Sequence, residues 1–253
     1  MLRVSGVTKC FGNASVISDI SFDIEQGEIV GLVGASGAGK STLLKILGGV
    51  MQPDTGRVSR TDGGDIVAGL LFQEAALFDS MTVLDNVAFP LLEYGDRKRG
   101  DYKGGMLTTG MTRIRARELA YEALIEVGLS DACYKYPGHL SGGMRRRAGI
   151  ARALVAHSAL VLLDDPTGGL DPVAASVIMN LITSLHASYG FSVIMVSHDI
   201  RRLLPRVNRV IALEDGRVAC DLPTQQLKES APKSIFDFLS SRYDFDGANL
   251  RKC

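Results

Sequence analysis

Apolar residues along this chain follow two periods, and each period predicts a different kind of element. From Ser18 to Ile24 apolar side chains alternate with polar ones, so we expect the N-terminal part to form antiparallel sheet with one buried face. An apolar run from Glu28 to Val33 enters a glycine-rich loop, and Ser41 to Val50 has the pattern of a helix. Two further runs, Ala159 to Leu163 and Ser192 to Val196, predict buried parallel strands that end at polar clusters.

The middle of the chain has the period of helices. Two apolar stripes at helical spacing consist of Leu119, Ala120, Ala123, Leu124 and Val127, and of Ala148, Ala151, Leu154 and Val155. The sequence thus predicts an α/β fold with an antiparallel β subdomain and an inserted α-helical subdomain. The expected parts are an α/β core at 1–75 and 159–220, a helical subdomain at 76–158 and a C-terminal extension at 221–253. A glycine-rich, basic stretch at 94–112 predicts a surface loop.

Composition narrows the classes of partner. The 253 residues include 28 Lys and Arg and 28 Asp and Glu, so the overall charge gives no reason to expect a nucleic-acid partner. The four cysteines have neither metal-ligand spacing nor the density of a disulfide scaffold, which suits a reducing cytoplasm. No stretch approaches the roughly 20 apolar residues that a bilayer span needs. If a membrane is involved, we expect another chain to cross it.

The glycine-rich loop carries the clearest chemical pattern. It consists of Gly34, Ala35, Ser36, Gly37, Ala38, Gly39, Lys40, Ser41 and Thr42. Its first eight residues match G-x-x-x-x-G-K-[ST] between a predicted strand and a predicted helix, which is the context of a phosphate-binding P-loop. Backbone N–H groups and the helix N-terminus would face phosphate oxygens, and Lys40 would add a positive charge. The alternative is a glycine turn before an ordinary helix.

Two other polar clusters follow predicted elements. Asp164 and Asp165 come directly after a buried strand, where carboxylates can hold Mg²⁺, although a turn or helix cap gives the same pattern. Small residues at 140–144 precede the second helical stripe and would leave N–H groups open to an anion. A plain N-cap at Ser141 is the alternative for that segment.

Taken together, these motifs resemble one family. The P-loop, LSGGM at 140–144 and LLDDPTGGLDP at 162–172 are similar, in this order and spacing, to ATP-binding cassette (ABC) ATPases along nearly the whole chain. The resemblance implies ATP and Mg²⁺ as ligands, and ATP hydrolysis coupled to transmembrane transport. It also implies a homodimer bound to a transmembrane permease at the cytoplasmic face of the inner membrane, in which each protomer completes the other's site.

The family's nucleotide contacts can be carried over by position. Phe11 matches the aromatic residue that stacks on adenine, with a core or edge aromatic as the alternative. Lys40 matches the residue at the β and γ phosphates. Gln73, in the Q-loop (residues 71–78), matches the glutamine that senses Mg²⁺ and the γ-phosphate. Ser41 and Asp164 match the other residues of the Mg²⁺ site.

The resemblance also assigns residues to hydrolysis and to the dimer. Ser141, Gly142 and Gly143 match the signature that contacts the nucleotide of the opposite protomer. Asp171 matches the aspartate at the dimer contact, and His198 matches the histidine that hydrogen-bonds the γ-phosphate, although a histidine after a strand is often structural. Asp165 stands where the family usually has a glutamate that polarises the attacking water. Because aspartate is one methylene shorter, the alternatives are slower hydrolysis and a shifted backbone. We still expect activity, since every other element matches, together with a long-lived closed dimer.

Local features bear on the cargo. Met144 replaces the more usual glutamine after LSGG, and the stretches 31–56 and 72–93 resemble Mla-type ATPases of MCE transporters, which move phospholipid between bacterial membranes. That resemblance implies an MlaE-like permease, and an MCE protein and a small STAS-domain protein as further partners. The alternatives are an importer ATPase for amino acids or another small solute, a weakly hydrolysing switch, and a soluble cassette protein of DNA repair or translation.

For two segments the sequence allows more than one role. Arg145, Arg146 and Arg147 are either a solvated helix face or a contact to the permease or to the signature-side phosphate. The apolar C-terminal tail either reaches across the dimer, as in Mla-type ATPases, or packs as a helix on its own lobe.

Overall fold

A computed structural model describes residues 2–60, 67–73, 75–97 and 111–245. The chain forms two compact units. The first, here the discontinuous unit, comprises residues 1–66 and 192–253, and the second, the continuous unit, comprises residues 67–191. These units divide the chain at other positions than the three parts expected from the sequence, and that three-part division stays a prediction.

The elements follow one another in three groups. The first segment of the discontinuous unit contains β1 (Leu2–Phe11), β2 (Ala14–Ile24), β3 (Ile29–Gly34), α1 (Lys40–Leu47) and β4 (Thr55–Arg60). The continuous unit contains β5 (Ala68–Leu71), α2 (Val83–Arg97), α3 (Arg113–Glu126), α4 (Gly142–Leu154), β6 (Leu160–Asp164) and α5 (Pro172–Tyr189), with single 3-10 turns at Ser130–Ala132 and Pro137–His139. The second segment of the discontinuous unit contains β7 (Ser192–Val196), α6 (Ile200–Leu203), β8 (Arg209–Glu214), β9 (Arg217–Pro223), α7 (Leu227–Ser230) and α8 (Lys233–Ser240), with 3-10 turns at Leu204–Arg206 and Thr224–Gln226.

The discontinuous unit begins with the antiparallel sheet that the alternating pattern predicts. Strand β1 pairs antiparallel with both β2 and β4, and its register sets Leu2 opposite Ile24 and Val4 opposite Phe22. These four side chains are buried, because every second residue of a strand faces the same side. The predicted antiparallel start is therefore confirmed.

The other strands of this unit, β3, β7, β8 and β9, are mainly parallel. Strand β3 pairs in parallel with β7 and with β8, and β9 returns antiparallel along β8. Every residue of β3 and β7 is buried, as expected for the continuous apolar runs of strands covered on both faces. Helix α1 ends at Leu47 rather than Val50, because Gly48 caps it and Gly49 turns the chain with φ 69°.

The continuous unit combines one parallel strand pair with helices. Strands β5 and β6 pair in parallel, with Leu71 opposite Leu163. The two predicted helical stripes correspond to α3 and α4, which bury Ala120, Leu124 and Ala148, although the last residue of each stripe, Val127 and Val155, is the C-cap that follows its helix. The prediction of a loop at 94–112 is wrong for residues 94–97, which belong to helix α2, while residues 98–110 lie outside the described part of the chain.

The described part of the C-terminal tail packs within the discontinuous unit. Ile235 and Leu239 of α8 are buried, and Ser234 Oγ lies 3.2 Å from Glu214 Oε2. Arg201 Nε donates to the carbonyl of Arg242 over 3.0 Å. Up to residue 245 the structure therefore favours packing on the chain's own lobe, while 246–253 lie outside the described residues.

A partly buried ion pair holds the end of β8. Arg209 donates to Asp221 on β9, to Glu28 over 3.2 Å, and to the carbonyl of Asp23 over 3.0 Å. These contacts, with Asp221 first, raise the pKa of the guanidinium above its ordinary value. Arg209 therefore joins three separate segments of this unit.

Exchanging Arg209 for methionine is expected to lower the free energy of unfolding by about 1–3 kcal/mol, because two carboxylates and a carbonyl lose their donor. Urea unfolding followed by circular dichroism measures the effect. Arg3→Met is the matched control, since Arg3 binds Asp23 at an exposed site where ion pairs stabilise little. Equal losses in both variants would contradict the assignment.

The described residues give a mixed α/β fold with an antiparallel sheet and parallel strands, as predicted. Within the same described residues, no helix is long and apolar enough to span a bilayer.

Candidate nucleotide-binding site

The P-loop joins β3 to α1, and two of its glycines are required by space and backbone geometry. Gly34 has φ 145°, and a Cβ there would lie 2.3 Å from the carbonyl oxygen of Leu213. Gly39 has φ 94°, and its Cβ would lie 2.5 Å from Ile17 Cγ2. Larger residues cannot occupy these positions without moving the backbone. The loop therefore lies close against β2 and β8, while residues 35–37 remain exposed to solvent.

Lys40 lies at the first residue of α1 with its side chain folded along the loop. Only 6% of the residue is exposed, and its Nζ donates to the carbonyls of Gly34 over 2.9 Å and Ala35 over 2.7 Å. The first turn of α1 contains no acidic residue that would compete with an anion. An exposed loop, a helix N-terminus and a lysine held over the loop fit the phosphates of a nucleotide.

His198 lies at the same end of the strands as the P-loop. In the parallel pair of β3 and β7, Leu32 lies opposite Val196. Gly34 and His198 each follow two residues later, at the carboxyl ends of neighbouring strands, where ligands bind in open α/β sheets. His198 is exposed, unlike the buried Ser197 before it.

Phe11 ends β1 with half of its surface exposed, so it is not a core residue. Lys9 Nζ lies 5.9 Å from its ring centroid and 2.6 Å from Asp54 Oδ1. Asp54 also accepts the backbone N–H of Cys10 over 2.7 Å, and the Lys9 and Cys10 hydrogen bonds lower the pKa of this carboxyl. The strand end is thereby fixed while the ring stays open to a partner.

In the continuous unit, the carboxyl ends of the paired strands β5 and β6 carry Gln73, Asp164 and Asp165. Because Leu71 lies opposite Leu163, Gln73 and Asp165 are each two residues beyond a paired position. Gln73 is exposed and Asp164 is half-buried at the end of β6. A carboxylate and an amide at the carboxyl ends of parallel strands suit a Mg²⁺ site.

Asp165 has an unusual backbone conformation. It is 6% exposed and has φ 47°, in the left-handed region that aspartate and asparagine enter more readily than most residues. Its carbonyl accepts the N–H of Gly168 over 3.1 Å, and a Cβ on Gly168 would lie 2.3 Å from Asp165 Oδ2. The carboxylate therefore lies against the turn that contains Gly168.

The signature and Asp171 both act as helix N-caps. Ser141 Oγ accepts the N–H of Met144 over 3.3 Å at the start of α4, and Asp171 Oδ1 accepts two N–H groups at the start of α5. Ser141 and Gly142 are exposed, and no acidic residue lies in the first turn of α4. The capping role is thus observed, and it leaves the helix N-terminus open to an anion.

The arginines after the signature do not form a solvated face. Arg146 is 6% exposed and donates to the carbonyls of Gln73 and Gly168, and Arg147 donates to two carbonyls at 127 and 128. Of the three, Arg145 alone is exposed. This role of Arg146 was not predicted from the sequence. The available signal was its position on a helix whose neighbouring residues, Ala148 and Gly149, are small.

An open cleft of about 480 Å³ lies beside these groups in the continuous unit. The Q-loop, the start of α4 and the turn at 168–170 line it, and both Arg145 and Arg146 reach it.

Comparison with known proteins identifies the family. Residues 17–168 match the model of the ABC transporter family, so the chain belongs to that family. Membership of this family agrees with the predictions of ATP and Mg²⁺ as ligands and of ATP hydrolysis.

Individual relatives agree with this placement. The chain is 38% identical over 212 residues to the probable ribonucleotide transport ATP-binding protein Mkl of Mycobacterium leprae, a match over 79% of this chain and 57% of that protein. It therefore spans little more than half the length of that relative. It is 39% identical over 219 residues to the aliphatic sulfonates import ATP-binding protein SsuB of Mycobacterium avium, covering 85% of this chain and 78% of SsuB.

A solved structure is similar in fold. The dimeric ATP-binding cassette MJ0796, in a post-hydrolysis state bound to ADP and Pi, matches with a TM-score of 0.73 and 30% identity. The match covers 88% of this chain and 99% of MJ0796. The predicted ABC ATPase fold is thereby confirmed.

Proposed function

We propose that this chain is the ATP-hydrolysing motor subunit of an ABC transporter. The observation that carries the proposal is the P-loop, where Lys40 is held over an exposed turn at the N-terminus of α1. ATP bound there supplies the phosphate bond whose hydrolysis drives transport. Phe11 would stack on the base, and Lys40 would neutralise charge on the β and γ phosphates.

In this proposal the remaining site residues bind Mg²⁺, accept a proton and orient the γ-phosphate during hydrolysis. Ser41, Gln73 and Asp164 would hold Mg²⁺, which fits their oxygen ligands. Asp165 would accept a proton from the attacking water, and His198 would orient the γ-phosphate. The left-handed backbone at Asp165 supports this role, because such conformations concentrate at functional sites.

We propose further that the working unit is a homodimer. The exposed N-terminus of α4 at Ser141 and Gly142 can bind the nucleotide of a second copy. Asp171 would lie at the contact between the two copies. MJ0796, which is a dimer, is consistent with this arrangement.

The proposal for the cargo comes from sequence resemblance and not from the geometry of the phosphate site. We propose phospholipid, moved by an MCE-type system with an MlaE-like permease at the cytoplasmic face of the inner membrane, on the strength of Met144 and of the stretches 31–56 and 72–93. The second candidate is import of a small solute. The names of the relatives support it, since Mkl and SsuB are assigned to ribonucleotides and aliphatic sulfonates.

Purification of the full chain from its native membranes, followed by mass spectrometry of the co-purifying chains and lipids, tests both candidates. We expect an MlaE-like permease, an MCE protein and bound phospholipid. A periplasmic solute-binding protein in their place would support the importer and overturn the lipid assignment. ATP hydrolysis by the purified complex tests the motor function separately.

A further inference from the structure

The face of α4 that meets the Q-loop carries two buried arginines. Arg146 is 6% and Arg152 is 9% exposed. Arg152 donates to the carbonyls of Ala75 over 2.5 Å and Ala76 over 2.8 Å. Arg146 donates to the carbonyls of Gln73 and Gly168, the latter over 2.8 Å. The two guanidinium groups therefore hold the Q-loop through its backbone.

The helix and the loop also pack without a gap. A Cβ on Gly149, between the two arginines, would lie 2.6 Å from Leu71 Cδ1 and 2.9 Å from Ala75 Cβ. Ala75 and Ala76 have φ 62° and 43°, a conformation that persists only where the surroundings impose it. The Q-loop thus takes its shape from α4 rather than from its own sequence.

Arg146 differs from Arg152 in what else it contacts. Its second carbonyl belongs to Gly168, whose N–H binds the carbonyl of Asp165 and whose Cα faces the Asp165 carboxylate. Its first carbonyl belongs to Gln73, which lies at the same strand edge as Asp165. The planar guanidinium of Arg146 therefore holds the backbone at both Gln73 and Gly168. Its N–H donors form a fork that suits two acceptors at once.

We propose that Arg146 is a positioning residue for ATP hydrolysis, whose guanidinium sets the separation between the side chains of Gln73 and Asp165. The inference rests on the proposed function of these two residues. Arg146 acts through their backbones and does not contact the nucleotide. Because it belongs to the helix that begins at the signature, any shift of α4 alters the spacing of both side chains.

The test compares two neighbouring arginines of the same helix. Arg146→Met removes the donors to Gln73 and Gly168. Arg147→Met is the matched control, because Arg147 also donates to two carbonyls, those of Val127 and Gly128, each over 2.9 Å, away from the Q-loop. The full chain is purified with its native membrane partners, and kcat and KM for ATP are measured over a range of Mg²⁺ concentrations.

We expect Arg146→Met to lower kcat ~10- to 100-fold, since small displacements of reacting groups cost this much, with KM for ATP within ~3-fold of wild type. Arg147→Met should keep both constants. Arg146→Lys, which retains one charged donor, should restore part of kcat, and it replaces the methionine variant if that variant does not fold.

Three results would overturn the inference. These are an unchanged kcat in Arg146→Met, an equal loss in Arg147→Met at the same melting temperature, or a loss confined to KM. A wild-type complex without ATP hydrolysis would instead overturn the proposed function, and the role of Arg146 with it.

Discussion

Lys40→Met is expected to reduce ATP hydrolysis at least ~100-fold, because the ammonium that would stabilise charge on the transferred phosphate is lost. Methionine keeps most of the buried side-chain volume at a position that is 6% exposed. The carbonyls of Gly34 and Ala35 lose a donor, and water can replace it at the exposed Ala35 but not at the buried Gly34. Phosphate release by the purified complex measures the effect.

Lys45→Met is the control for this exchange, since Lys45 lies in the last turn of the same helix, away from the loop. It should keep the wild-type rate. If Lys40→Met hydrolysed ATP at the wild-type rate while remaining folded, the P-loop would not be the nucleotide site.

Asp165→Asn is expected to lower kcat at least ~100-fold while ATP is still bound, because the amide cannot accept the proton of the attacking water. Asparagine enters the left-handed region as readily as aspartate, so the backbone at φ 47° should be retained. Single-turnover hydrolysis and nucleotide binding, measured on the same complex, separate the two effects.

Asp165→Glu provides the converse test of the same position. A glutamate reaches one methylene further toward the water, so steady-state hydrolysis should become faster than in wild type. The melting temperature must be recorded as well, because glutamate enters the left-handed region less readily than aspartate. An unchanged or lower rate of ATP hydrolysis by properly folded Asp165→Glu would contradict the hypothesis that the short side chain of Asp165 limits turnover.

The elements that the sequence predicts best are those whose hydrophobic pattern lies within a few neighbouring residues. Alternation from Ser18 to Ile24 and the apolar run at Ser192–Val196 each correspond to an observed strand, since each period reflects burial within a few residues. The hairpin of β8 and β9 was missed. Asp221 lies inside β9, where the sequence places the start of the C-terminal extension, because the pairing partner that makes it a strand precedes it by a tight turn.

The candidate site also has parts that local sequence predicts and parts that depend on distant residues. Every residue of the P-loop can be predicted from the sequence, because a fixed spacing of glycines and lysine builds that loop from neighbouring residues. The contacts of Arg146 cannot, since its acceptor at Gln73 lies 73 positions away and is a carbonyl that any residue carries. The left-handed conformation of Asp165 is likewise imposed by the turn around Gly168.

The amino-acid sequence by itself determined the class of this protein, its candidate phosphate-binding loop and the order of its motifs, because these depend on residue types at short spacings. The tertiary structure decided what holds them in place. It showed that α4 supports the Q-loop through buried guanidinium groups, and that the tail up to residue 245 packs on its own unit. Backbone carbonyls and burial carry no sequence signature, so only the folded chain reveals which side chains they meet.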